Sequence, residues 1–278
     1  MPRVDDRIDI PAPIIGVQLG WRSWALIVGT TVFGLVALGW PFLIPAAQVS
    51  SNHSAEAPFI LAALVPLMLL LVLAQVTEGG LDTRALATLG VLSAINAVLR
   101  PALGAGTAGI EGVFFLLIIA GRAFGPGFAF LLGHLSFFAS ALLTAGIGPW
   151  LPFQMMVSGW VGLAAGLIPR RLKGKAELIA MVIVAVVTSY AYGALINLWF
   201  WPFITGTAVE GVATGSLDYV PGAPVAENLV NFLWFTLFTS TAGWDTMRAV
   251  TTGLAVLVLG KPLLQVLRRA SGMSRVHV

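Results

Sequence analysis

The side chains able to do chemistry in this chain are few, and several fall at helical spacing. Asn96 and Arg100 stand four residues apart and Asp245 and Arg248 three apart, so each pair shares one face of a helix. Glu111 is a lone carboxylate among apolar residues, and Gln154 follows Trp150 by one helical turn. A guanidinium makes two parallel bonds to a carboxylate or phosphate. An amide reads donors and acceptors, and a carboxylate holds a cation or a proton. This set suits binding better than catalysis. There is no GxxxxGK[ST], HExxH or GxSxG, so a phosphate-cradling loop, a zinc-protease helix and a nucleophile elbow are all missing. The absence of cysteine excludes disulfides, thiolate metal sites and iron–sulfur clusters, and three scattered histidines do not make a metal cluster. No catalytic residue, metal or cofactor is expected.

The elements that must position these groups are membrane helices. Of the 278 residues, 58% are hydrophobic and 10% charged, with mean hydropathy +0.93. A soluble domain carries roughly 45–50% apolar and about 25% charged residues, and no soluble core could hide the excess. Apolar runs occur at 24–44, 58–76, 85–100, 109–121, 126–145, 153–169, 177–200 and 246–267. At about 20 residues per crossing, they predict an all-α polytopic protein of about eight transmembrane helices. The first run is too long for the core of a signal peptide and reads as an anchored helix. The fourth reaches spanning length only by including residues 104–112, which carries Glu111 into the membrane, costly unless the carboxylate faces a cavity or a partner. Residues 229–267 taken as one helix would measure about 58 Å. Ser240-Thr241-Ala242-Gly243 therefore reads as a break, with 229–241 on or dipping into the outer surface.

Charge orients the chain. With eight crossings and the N-terminus inside, Arg22, Arg84, Arg122, Arg170, Arg171, Lys173, Lys175, Arg268, Arg269 and Arg275 all fall on the inner side, as the positive-inside rule requires. The net charge of +3 and pI near 9.7 follow from this and do not indicate nucleic acid. Both termini are then cytoplasmic, and the loop 201–228 is external and long enough to act as a lid. Asn96, Arg100, Glu111, Trp150, Gln154, Tyr190, Asn197, Trp199, Asp245 and Arg248 all lie towards the outer side. Charged groups within a membrane are candidates for a site or pathway, and aromatics with a few convergent polar groups make a pocket. The opposite reading of each stands beside this. Trp and Tyr gather at any membrane interface, and Arg100 with Glu111 or Asp245 with Arg248 would serve equally as structural ion pairs. His134 reads as a hydrogen-bonded packing residue. Asp5, Asp6 and Asp9 belong to a solvated tail, Gly125-Pro126-Gly127 is a turn between helices, and the Asn52-His53-Ser54 sequon carries little weight. The stripes Ser158, Gly162, Gly166 and Ser136, Ser140, Thr144 permit close helix packing. The small residues of the third run suit a partner protein.

Residues 86–171 resemble the substrate-binding S component of energy-coupling factor (ECF) type vitamin transporters, especially actinobacterial ones. The resemblance rests on Ala94-Ile95-Asn96-Ala97-Val98-Leu99-Arg100, Gly121-Arg122-Ala123-Phe124-Gly125-Pro126 and Gly133-His134-Leu135-Ser136. It continues through Thr144-Ala145-Gly146-Ile147-Gly148-Pro149-Trp150-Leu151-Pro152-Phe153-Gln154 and Gly159-Trp160-Val161-Gly162 to Arg170-Arg171. Thr239-Ser240-Thr241-Ala242-Gly243-Trp244-Asp245 and Arg248-Ala249 also look family-like. It implies a six-helix substrate-binding core, here 81–270 with the external loop 201–228; the apolar runs and charges add a cytoplasmic tail (1–23), two extra transmembrane helices (24–80) beyond the usual six-helix unit, and a cytoplasmic tail (271–278). It further implies a bacterial plasma-membrane subunit that captures a vitamin or vitamin precursor from outside and passes it inward with a coupling subunit and two ATPases. Asn96, Arg100, Glu111, Gln154, Asp245 and Arg248 would contact the ligand, with Trp150, Trp199 and Trp244 as stacking walls. Gly90, Ala94 and Ala97 would meet the coupling subunit. The alternative is a stand-alone proton-coupled secondary transporter with Glu111 or Asp245 as proton carrier. A lipid-directed intramembrane enzyme is the weakest reading.

Overall fold

The structure, a computed structural model, describes residues 19–43, 57–102, 109–204, 217–220 and 223–270. The acidic tail residues, the sequon, residues 103–108 and 205–216 and the C-terminal tail lie outside the described residues. The described chain is all helical: α1 (Trp21–Leu38), α2 (Trp40–Leu43), α3 (Ala57–Thr77), α4 (Thr83–Ala102), α5 (Val113–Phe124), α6 (Pro126–Leu143), α7 (Leu151–Gly166), α8 (Gly174–Ile204), α9 (Val225–Thr236) and α10 (Thr246–Ala270). Among the described residues, six helices are long and apolar enough to cross a membrane.

The centre of the bundle is α5, α6 and α7. Every residue of α5 except Phe115 is buried, because its sequence is apolar all round. Helices in lipid have no hydrophobic drive to associate and depend on close packing. Here glycine supplies it: a Cβ on Gly162 would collide with the Ala129 backbone of α6, and one on Gly133 with Ser158 and Gly159 of α7. The α5–α6 turn is Gly125, at φ 101°, followed by Pro126 in the first turn of α6.

Around this centre lie α4, α8 and α10. In α4 only Ala85, Leu89, Leu92, Ser93, Asn96 and Ala97 are buried, a stripe at three- and four-residue spacing against α6. The extra pair α1 and α3 docks on α6 and α7, tied by a bond from Trp160 Nε1 to Thr31 Oγ1 (3.1 Å). At its other end, the Glu78 carboxylate accepts from the backbone N–H groups of Arg22 and Ser23, which open α1.

One expectation is corrected. Ser240–Gly243 does not interrupt the helix. Residues Leu237–Asp245 are wound as a π-helix that joins α9 to α10, and Val225–Arg269 forms one apolar span of 45 residues. Ser, Thr and Gly disfavour helices in water by competing for the backbone or by adding freedom. Here Thr239 and Thr246 hydroxyls turn back on carbonyls of the same helix, so they do not compete for its N–H groups. The other expected run, 109–121, begins later than predicted. Residues 109–112 are not α-helical, and α5 starts at Val113.

The basic residues Arg22, Arg84, Arg122, Arg170 and Arg268 share one end of the bundle, here termed the basic end. The opposite, far end carries an aromatic cap. Trp201, Tyr219, Phe232 and Phe235 are buried there, with Phe42 of α2 packed on them. The described part of the loop, 217–220, is held down on this cap. Trp201 Nε1 donates to the Leu217 carbonyl (2.7 Å), and the Asn228 side chain makes two 2.9 Å bonds to the Val220 backbone.

Candidate functional site

Because α5 is only 12 residues long, about 18 Å, it falls well short of a bilayer core of about 30 Å. The non-helical residues 109–112 precede it on the far-end side. Irregular backbone at such depth is tolerated when protein buries it. Gly109, at φ 81°, lies so close to the Trp244 backbone that a Cβ would stand 2.9 Å from its carbonyl carbon. This wedge delivers Glu111 to the bundle interior.

Arg248 meets it there. Its Nε donates to Glu111 Oε2 at 2.8 Å, and its Nη1 to Asp245 Oδ1 at 2.5 Å and the Ser189 carbonyl at 3.4 Å. Asp245 is fully buried, and its other oxygen accepts from Ser240 Oγ at 2.6 Å. Ser240 and Asp245 are five residues apart. In an α-helix, neighbours are three or four apart, whereas the i to i+5 winding of a π-helix brings this pair together. The π segment is thus what completes the hydrogen bonding of the buried carboxylate.

The arginine lies on aromatic rings as well. Its guanidinium carbon is 5.0 Å from the Tyr192 ring centre and 5.8 Å from that of Phe114. Phe114 packs edge-on against Tyr192 (4.8 Å) and stacks on Phe137 (6.3 Å). On the Phe137 side stands the second arginine: Arg100 Cζ is 4.9 Å from that ring, and Nη2 donates to Gln154 Oε1 at 3.2 Å. Two guanidiniums therefore flank one aromatic trio. Their electrostatics differ. Arg248 is balanced by two carboxylates, while Arg100 makes no ion pair among the described residues.

Below Arg100, Asn96 is buried on α4 and its Nδ2 donates to Ser136 Oγ of α6 at 3.0 Å. Its Oδ1 has no hydrogen-bond partner, and neither do the buried hydroxyls of Ser93 and Ser140 along the same seam. Other buried polar groups of the bundle, among them Gln75, Ser158 and Thr252, are likewise without a partner. His134 is buried, with Nδ1 on the Phe130 carbonyl at 2.8 Å and its ring against Phe130. Its Nε2 is unpartnered. No cluster of three His, Asp or Glu among the described residues is placed to hold a metal.

The sequence candidates divide accordingly. Asn96, Arg100 and Gln154 come together on one side of the trio, and Glu111, Asp245 and Arg248 on the other. The carboxylate that Glu111 brings goes to Arg248 rather than to Arg100. Trp199 is buried against Phe153 (5.7 Å), and Trp150 packs at the edge of the core. Trp244 does not wall the site. It is 47% exposed on the outside of the bundle. On α4, Gly90 and Ala94 face outward, but Ala97 is buried in the bundle and offers no surface to a partner. Sequence reading missed Phe114, Phe137, Tyr192 and Ser189. A signal for the last two was present, since Ala185, Ser189, Tyr192, Ile196 and Trp199 follow the three- and four-residue spacing of a buried helix face.

No curated protein and no solved structure matches this chain. A family model does: that of the ECF transporter, substrate-specific component, over residues 84–260, from the start of α4 to deep within α10. The match takes in both arginines and every group around the aromatic trio and leaves α1 to α3 outside. This multi-pass plasma-membrane chain therefore belongs to the ECF transporter substrate-specific component family, a family of transporter subunits rather than of enzymes.

Proposed function

We propose that the chain captures a small anionic, vitamin-like molecule at its far end and delivers it inward with a coupling subunit and two ATPases. The far end is assigned to the outside because the basic residues gather at the other. The observation that carries the reading is Arg100: a guanidinium held on Phe137, with no carboxylate against it among the described residues, beside the unpartnered oxygen of Asn96. A ligand carboxylate or phosphate supplies the missing charge through two parallel bonds. Phe114, Phe137 and Tyr192 then offer faces to its apolar part. Segment 217–220, pinned by Asn228 and Trp201, sits as a lid element over the aromatic cap. The outward face of α4 around Gly90 and Ala94 is the surface for the coupling subunit, which supplies the ATP-derived energy this chain has no phosphate loop to harvest.

The test is mass spectrometry of the purified chain after denaturation. A small acidic molecule released in near one-to-one amount, and lost from an Arg100→Ala protein of unchanged thermal stability, is the expected result. Full retention by Arg100→Ala overturns the site. Proton-gradient-driven uptake by liposomes holding this chain alone overturns the subunit reading in favour of secondary transport.

A further inference from the structure

At the basic end, away from the site above, a groove of about 430 Å³ lies along α8 and α10. Its floor is Leu178, Met181 and Leu264, and its rim carries Lys175, Lys261, Gln265 and Arg268 around Glu177. The Glu177 carboxylate is already taken. Arg122 Nε donates to it, and Arg268 Nη2 and Nη1 do so at 2.5 and 3.3 Å. Lys175 and Lys261 make no ion pair among the described residues. They stand at nearly one depth. A Cβ on Gly260 would stand 3.2 Å from the Leu178 side chain, so Lys261, one residue nearer the basic end, lies only about 3 Å further into the bundle than Lys175. Outside the groove, Ile179 and Ile183 of α8 and Leu257 and Val258 of α10 are exposed apolar residues of the same two helices. Lysines near helix ends reach the headgroup layer, where an anion meets them. Basic pockets between membrane helices on the cytoplasmic side hold anionic headgroups.

We propose that this groove binds a phosphate group, and that its source is an anionic phospholipid of the adjoining leaflet. The phosphate sits between Lys175 and Lys261, and the first acyl carbons run over Leu178 and Leu264 towards the exposed apolar residues outside. Free phosphate would satisfy the lysines but leave the apolar floor without a role.

The experiment is native mass spectrometry of the full chain in detergent with phosphatidylglycerol, phosphatidylcholine or inorganic phosphate added. Phosphatidylglycerol is expected to bind, and to bind about thirtyfold more weakly to Lys175→Gln/Lys261→Gln, two basic contacts being lost. The Arg171→Gln/Lys173→Gln protein, altered at the same end but outside the groove, is expected to keep its affinity. Both lysines are exposed, and a thermal unfolding curve checks that the fold is intact. Equal binding of phosphatidylcholine, equal loss in both double variants, or no loss in the first overturns the site. Phosphate adducts that form without lipid and displace phosphatidylglycerol overturn the lipid source.

Discussion

Asp245 is lodged against the bare backbone of Gly193: a Cβ built on that glycine would overlap the carboxylate. The approach lets α8 pass close to the π segment and seals the aspartate from lipid. Gly193→Ala is expected to destabilise the protein by about 1–3 kcal/mol, the usual cost of overpacking, seen as a lower thermal midpoint in detergent. Gly243 lies in the same π segment with open space around its Cβ position, and Gly243→Ala is expected to leave the midpoint within error. Equal effects of the two would show that the contact with Asp245 is not what matters.

Arg248→Ala removes the only guanidinium that reaches the Glu111 and Asp245 carboxylates, among the described residues. Breaking a buried pair by deleting one partner costs about 3–5 kcal/mol, so this variant is expected to unfold early or express poorly. Adding Glu111→Gln and Asp245→Asn, which removes the stranded charges, should recover much of the loss. No recovery in the triple variant would mean that Arg248 stabilises through its ring contacts instead.

At the basic end, Arg122 is buried, bonded to Glu177 and to the carbonyls of Ile168 and Leu172 (3.0 and 2.8 Å). It staples the α7–α8 turn. Glu177→Gln is expected to cost more than Arg268→Ala, because the Arg268 side chain is 34% exposed and that of Arg122 only 5% and the buried arginine is the one left unpaired. Thermal midpoints of the two variants decide the order, and the reverse order refutes this account.

Acid should loosen the start of α1. The Ser23 hydroxyl, followed by the backbone N–H groups around it, holds the Glu78 carboxyl below its ordinary value. A carboxylate with a lowered folded pKa contributes stability above its unfolded pKa and loses it as pH falls through the folded value. The stability difference between wild type and Glu78→Gln is therefore expected at neutral pH and should vanish once the carboxyl is protonated. A difference independent of pH would assign the effect to packing.

Much of this architecture was legible in the sequence because apolar runs, the Gly125-Pro126-Gly127 turn and small-residue stripes are local signals. Pairings across the chain are not. Glu111 and Arg248 are 137 residues apart, and nothing in the spacing of either says which arginine the carboxylate will reach. The outcome depends on where α5 begins, and that in turn on the Gly109 wedge against Trp244. The π segment was misread for a related reason. Its serine, threonines and glycine carry the composition of a break, while the π winding that continues the helix, and sets Ser240 against Asp245 five residues on, has no local signature in the residue types.

Because α9, the π segment and α10 form one unbroken span packed along α8, the protein contains a lever. Its 45 residues amount to about 65 Å, with the aromatic cap at one tip, Arg268 near the other and Asp245 not far from the middle. A tilt of about 10° around that middle would carry each tip through about 6 Å. A tilt applied where Arg248 is held would thereby be magnified at the aromatic cap, whereas Pro262 stands between that point and the Arg268 tip.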